Sequence, residues 1–199
     1  MRTPSSQSLP AVRLATLAAA VVAVIAIHDH AAAQLGYERI LNAENEPESW
    51  LTYNGTYSSQ RYSRLDQITR GNLDDLELKW MLPNQVFGAW QSNPIVFDGV
   101  MYLTQRPNDV MAVDPVTGRV FWVYRHTNAQ NALVCCGANN RGVAVLGDKV
   151  FMGTLDAHLI ALDRISGEPL WKVEVGDVNL AYSITMAPLA VKNLIMVGV

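Results

Sequence analysis

Ala112-Val113-Asp114-Pro115-Val116-Thr117-Gly118-Arg119-Val120-Phe121-Trp122 returns 49 residues later as Ala161-Leu162-Asp163-Arg164-Ile165-Ser166-Gly167-Glu168-Pro169-Leu170-Trp171, with Ala, Asp, Gly and Trp in step. A second element recurs upstream of each copy: Val96-Phe97-Asp98-Gly99-Val100-Met101-Tyr102 corresponds to Leu146-Gly147-Asp148-Lys149-Val150-Phe151-Met152. A third start, Val191-Lys192-Asn193-Leu194-Ile195-Met196, runs to the end of the chain. Asp98-Gly99 and Gly147-Asp148 are short polar turns between apolar β-branched runs, a strong hairpin signal. In each Asp-x-x-(Thr/Ser)-Gly, the Asp or the hydroxyl can bond nearby turn amides while the Gly supplies a positive φ. The Trp that follows is a large flat side chain able to pack over the turn of a neighbouring unit. Each unit therefore reads as strand, turn, strand, strand, turn, strand. A four-stranded unit of about 40–50 residues that cannot bury both faces alone is a β-propeller blade, so the expected fold is all-β. The alternative, two similar hairpins in a β-sandwich, leaves the matched Ala and Trp unexplained.

Trp80, in Leu76-Glu77-Leu78-Lys79-Trp80, marks the outer-strand end of a preceding, degenerate unit. The last residues, Ile195 to Val199, read as mid-strand. Propellers typically close with at least four blades, so two to three blades read as the front of a longer ring. This divides the chain into an N-terminal segment over 1–33, a segment with the degenerate first blade over 34–93, and propeller repeats over 94–199.

The chain has 199 residues, half of them hydrophobic and 17% charged, which excludes a disordered tail and leaves material for a core. Its 15 basic and 18 acidic residues give a net charge of −3, with no electrostatic case for nucleic acid or an anionic membrane. The positive mean hydropathy of +0.10 has a local source. Arg2 and Arg13 with no acid, the apolar run Leu14 to Ile27, and Ala31-Ala32-Ala33 before Gln34 form the three regions of a secretory signal peptide. The apolar run has 14 residues, short of the roughly 20 of a spanning helix. His28 and His30 leave with the signal, and the expected location is periplasmic. Loss of two arginines and one aspartate with residues 1–33 shifts the formal charge from −3 to −4.

Cys135-Cys136 is the rarest local feature. Adjacent Cα atoms lie only about 3.8 Å apart, below the roughly 4.4–6.8 Å of an ordinary disulfide. In a cytosolic chain two buried or metal-binding thiols are the natural reading. In an exported chain with no other cysteine, a strained vicinal disulfide is the natural one.

Trp50-Leu51-Thr52-Tyr53-Asn54-Gly55 followed by Gln60-Arg61-Tyr62-Ser63, the pair Cys135-Cys136 leading into Asn140-Arg141-Gly142, and Gly153-Thr154-Leu155-Asp156-Ala157 together resemble the quinoprotein alcohol dehydrogenases. The Ala-to-Trp repeats resemble that family's tryptophan-docking motif. The likeness covers about residues 48–199, the front part of such an enzyme. It implies an eight-bladed periplasmic propeller that uses pyrroloquinoline quinone (PQQ) and a metal ion, calcium or a lanthanide. The substrate implied is a primary alcohol or similar small molecule, and the electron acceptor a cytochrome c.

By the same resemblance, the disulfide of Cys135 and Cys136 lies flat against one face of the quinone. Arg141 points its guanidinium at the reactive carbonyl oxygens, and Thr185 bonds a cofactor carboxylate. Arg suits the first task because it stays protonated and offers forked donors. Gln91 stands where well-studied members carry a Glu that bonds the cofactor; Gln still donates and accepts, while the local charge differs. The resemblance puts the metal-ligand Glu, an Asn ligand, the Asp general base and the second stacking Trp beyond Val199, so no catalytic or metal-ligating residue is expected here. Asp98, Asp114, Asp148 and Asp163 read as turn residues, and Asp156 as structural.

Two other functions compete. A cofactor-free propeller of the same repeats, acting as a protein-binding scaffold, gives no reason for Cys135-Cys136 or Arg141. A membrane-bound quinoprotein sugar dehydrogenase calls for several spanning helices before the propeller.

Overall fold

The computed structural model describes residues 34–83, 86–134 and 137–199. The expected signal peptide (1–33) and the Cys135-Cys136 pair lie outside the described residues.

The repeat folds as its turn chemistry dictates. The first unit is a four-stranded antiparallel sheet of β1 (Ile95–Phe97), β2 (Val100–Gln105), β3 (Asp109–Val113) and β4 (Val120–Arg125), paired in sequence order. The second repeats it with β5 (Ala144–Leu146), β6 (Lys149–Gly153), β7 (His158–Asp163) and β8 (Pro169–Glu174). A hairpin of β9 (Leu189–Val191) and β10 (Leu194–Met196) begins a third. Helix among the described residues is limited to α1 (Tyr37–Leu41) and three single 3₁₀ turns.

The conserved spacing within the repeat has a cross-strand explanation. Ala112 faces Trp122 across the β3–β4 ladder, and Ala161 faces Trp171 across β7–β8, each pair next to a register shift. A small residue opposite the indole leaves room for the ring to lean over its own sheet, Trp122 toward Tyr102 (6.0 Å between centroids) and Trp171 toward Phe151 (5.8 Å). In the turn between, the Asp114 carboxylate accepts from the Val116 amide (2.9 Å) and the Thr117 hydroxyl (2.6 Å). The Asp163 carboxylate accepts likewise from the Ile165 amide (3.0 Å) and the Ser166 amide (2.7 Å).

Two tryptophans, Trp80 and Trp122, dock on the next unit's turn. Trp80 Nε1 donates to the Pro115 carbonyl (3.0 Å) and Trp122 Nε1 to the Arg164 carbonyl (3.1 Å). The indoles lie flat on the turn glycines: a Cβ at Gly118 would sit 2.7 Å from the Trp80 ring, and one at Gly167 2.5 Å from the Trp122 ring. Both glycines also have positive φ, 73° and 76°, so turn geometry and docking each demand the same residue. Trp171, third in the series, is 40% exposed. One expectation is met only by half. Trp80 docks as predicted, but Leu76–Trp80 is not a strand, because no partner strand lies beside it among the described residues.

The apolar faces of the two sheets merge in one core, in which Ile95, Phe97, Tyr102, Val150, Met152 and Ile160 are inaccessible to solvent. The segment before the repeats closes this core on the side of the first strands. Leu35 exchanges backbone hydrogen bonds with Gly147 at the end of the β5–β6 hairpin. Trp50 pairs with Val96 in β1, and the Tyr57 hydroxyl donates to Ala190 in β9 (2.5 Å). The segment from Leu35 to Tyr57 thus touches the first strand or hairpin of all three units.

Candidate cofactor site

Gln91, Arg141 and Thr185 hold the same place in the repeat: each lies three or four residues before the first strand of a unit, β1, β5 and β9 respectively. The three lead-in segments run side by side. The Asn93 amide donates to the Arg141 carbonyl (3.0 Å), and the Arg141 amide donates to the Thr185 carbonyl (3.2 Å). The Arg141 guanidinium folds back on the same carbonyl, Nη1 to Thr185 O at 3.1 Å. The structure therefore brings Arg141 and Thr185 together directly. Gln91 is exposed and reaches the group only through its neighbours Ser92 and Asn93.

The approach of these segments is close enough to constrain their residues. Gly142 has φ 134°, and a Cβ there would lie 2.9 Å from the Asn93 carbonyl oxygen. Behind it, buried Thr104 ties two of the segments: its amide donates to Ser92 Oγ (2.9 Å) and its hydroxyl to the Asn140 carbonyl (3.1 Å). Trp90 Nε1 donates to the Thr104 carbonyl (2.6 Å). Sequence reasoning missed Thr104, which is 36 residues from Asn140; the only available signal was Asn140 itself, adjacent to Arg141 in the Asn-Arg-Gly motif.

Arg141 is half-buried and lines a cavity of about 300 Å³ with Thr52, Tyr53, Asn54, Tyr57 and Met186. The cavity wall from the N-terminal segment is held by the Asn93 side-chain amide, which donates to the Tyr53 carbonyl. Burial, then the nearby Tyr37, pushes the Tyr57 phenol above its usual range, so it stays a protonated donor at neutral pH. The donor set suits an oxygen-rich anionic ligand: a permanent cation at Arg141, with the amide of Asn54 and the hydroxyl of Thr52 on the same wall. Buried Thr52 Oγ1 has no protein hydrogen-bond partner, which leaves it able to serve such a ligand. On this chemistry the residues present fit a polycarboxylated quinone. Among the described residues, no three His, Cys, Asp or Glu side chains converge to hold a metal ion.

Four-stranded antiparallel units, side by side in sequence and locked by tryptophans seated on the next unit's Asp-x-x-Thr/Ser-Gly turn, define a tryptophan-docked β-propeller. The family described as "PQQ: Glucose/ethanol/alcohol dehydrogenase, beta-propeller domain" matches residues 50–198, and the chain belongs to that family. It is 39% identical over 170 residues to the dehydrogenase subunit of a quinone alcohol dehydrogenase from Gluconacetobacter polyoxogenes, covering 81% of this chain and 23% of the relative. Among solved structures it is similar to the quinohemoprotein alcohol dehydrogenase ADHIIG of Pseudomonas putida HK5, with TM-score 0.78 and 38% identity over 81% of this chain and 24% of that one. It is also similar to a europium-containing methanol dehydrogenase, with TM-score 0.76 and 36% identity over 81% of this chain and 29% of that one. The chain thus spans about a quarter of the length of the relatives it matches.

Proposed function

We propose that these blades form the cofactor-binding part of a periplasmic dehydrogenase that oxidises a primary alcohol or similar small substrate and passes the electrons to a cytochrome c. The observation that carries this reading is Arg141, anchored through both its amide and its guanidinium to the Thr185 carbonyl and lining the cavity of about 300 Å³. PQQ, with calcium or a lanthanide bound beside it, supplies the hydride-accepting carbonyl when loaded.

The chain's own residues bind and orient that group. Arg141 offers its remaining guanidinium donors to the oxygens on which negative charge grows during reduction, and Thr185 anchors it so that no reorganisation is needed at that moment. The Thr185 hydroxyl and the Gln91 amide serve the cofactor's rim as neutral hydrogen-bonding groups. The family resemblance assigns one face to a vicinal disulfide of Cys135 and Cys136, which lie outside the described residues. Family likeness to enzymes named as quinone alcohol dehydrogenases supports the substrate class. The signal-like sequence of residues 1–33 supports the compartment, and no helix among the described residues is long and apolar enough to cross a membrane.

The test is PQQ-dependent dye reduction with primary alcohols by the full-length gene product, exported and loaded with PQQ and either calcium or a lanthanide. Activity with one of the two metals is expected. Absence of activity with both metals across a panel of short alcohols, in a folded protein, would refute the reading.

A further inference from the structure

Arg141 and Thr185 sit in different segments, yet both are registered on one corner of the second sheet, Gly153-Thr154-Leu155-Asp156-Ala157, which joins β6 to β7. Taking the cofactor reading above as its premise, we propose that this corner is the jig of the cofactor site and that Asp156 and Asn140 are its positioning residues.

The Arg141 side is held at two points. Asn140, only 2% exposed, donates from Nδ2 to the Gly153 carbonyl (2.8 Å) and accepts the Gly142 amide on Oδ1 (3.1 Å), so its side chain brackets Arg141 from both neighbours. Upstream, the chain leaving β4 is caught by Asp156. Its carboxylate accepts from the Ala129 amide (3.0 Å) and from His126 Nε2 (2.9 and 3.1 Å). The segment from 126 to 141, which includes the cysteine pair in its sequence, is therefore fastened at both ends to the same five residues. The Thr185 side uses the corner's main chain: the Ile184 amide donates to the Thr154 carbonyl (3.0 Å). Gly153 makes room for this contact, because a Cβ there would lie 2.2 Å from Ile184 Cγ2.

A carboxylate 4% exposed persists in ionised form only when it is fully paired. Asp156 is supplied from three elements. Thr154 Oγ1 donates from the corner itself (2.5 Å), His126 and Ala129 from the segment after β4, and His158 Nδ1 approaches from β7 at 3.4 Å. Tyr124 in β4 also feels the charge; burial first, then Asp156, pushes its phenol up. Such a paired group is rigid, as a support that orients a binding guanidinium must be.

The experiment compares D156N and N140A with the exposed-turn control D148N in the full-length protein. Three quantities are measured: PQQ dissociation by fluorescence in the presence of metal, amide exchange at Ala129, Gly142 and Ile184, and melting temperature. D156N and N140A are expected to weaken PQQ binding about tenfold and to quicken exchange at Ala129 and Gly142 respectively. Exchange in β5 to β7 and all properties of D148N should match wild type. Unchanged exchange at both amides, or quickened exchange with wild-type PQQ affinity, would overturn the proposal. If D156N does not fold, N140A carries the test, since it removes only neutral hydrogen bonds. A wild type that binds no PQQ overturns the cofactor reading and with it the positioning role, while the exchange data still decide whether the corner holds the two ends.

Discussion

Arg141 is the residue on which the functional reading turns, and its environment makes lysine a poor substitute. Its amide and one Nη are both spent on the Thr185 carbonyl, and an ammonium lacks the planar fork to make that contact while still serving a ligand. Arg141→Lys is expected to lower kcat of the loaded full-length enzyme by about 10²-fold, the scale seen when one preorganised donor is lost, with little change in melting temperature. Asp156 yields a pH prediction. Burial raises its carboxyl pKa, but hydrogen bonds from Thr154, the Ala129 amide and His126 together outweigh it and hold the group at about 2, against an ordinary value of 3.8. A depressed folded-state pKa contributes stability that is fully present above about 4 and is lost as pH falls through about 2. Urea melts across pH 5 to 2 should therefore show a steeper acid limb in wild type than in Asp156→Asn. At this scale the sequence was legible where a residue's task is local. Asp114 and Asp163 each act within a few positions of their partners, and the positive φ of Gly118 and Gly167 is set by their own turns. The tasks of Thr104, Asn140 and His126 depend on partners 36, 13 and 30 residues away, which no short-range pattern encodes.

Among elements, the tryptophan-and-turn dock is the joint between blades, and it combines packing with a partly buried hydrogen bond. Trp122→Ala removes both the Nε1 bond to Arg164 and the indole stacked on Gly167. A loss of about 3 kcal/mol is expected from chemical denaturation, with Trp122→Phe losing less because it keeps the ring. Gly167→Ala attacks the joint from the other side, forcing both a positive φ and a contact at 2.5 Å with the indole, and should cost about 1–3 kcal/mol. A neutral Gly167→Ala would contradict the dock. The strands of both blades were legible because alternating apolar runs and turn residues coincide. Leu76–Trp80 was misread as a strand because its Trp carries the docking role without a paired backbone. The course of the 35–57 segment across three units was not legible, since it is held by main-chain pairing at Gly147 and Val96 and by isolated side-chain contacts such as Tyr57 to Ala190 and Asn93 to Tyr53, none of which leaves a periodic mark in the sequence.

For the whole molecule, the two complete blades and the start of a third bring their lead-in segments side by side at one site. Residues far apart in sequence, Thr52, Arg141 and Met186, thereby share a cavity. On the proposed function this suits a cofactor scaffold: each unit is built the same way, so the stretches that lead into the first strands meet at the same place. The central claim is that this place binds PQQ through Arg141. Its most direct test is equilibrium binding of PQQ, followed by fluorescence in the presence of calcium or a lanthanide, to full-length protein with Arg141 intact and as Arg141→Ala. The account predicts saturable one-to-one binding to the wild type and at least a hundredfold weaker binding to the variant. Equal affinity of the two proteins, or no binding to the folded wild type, would contradict it.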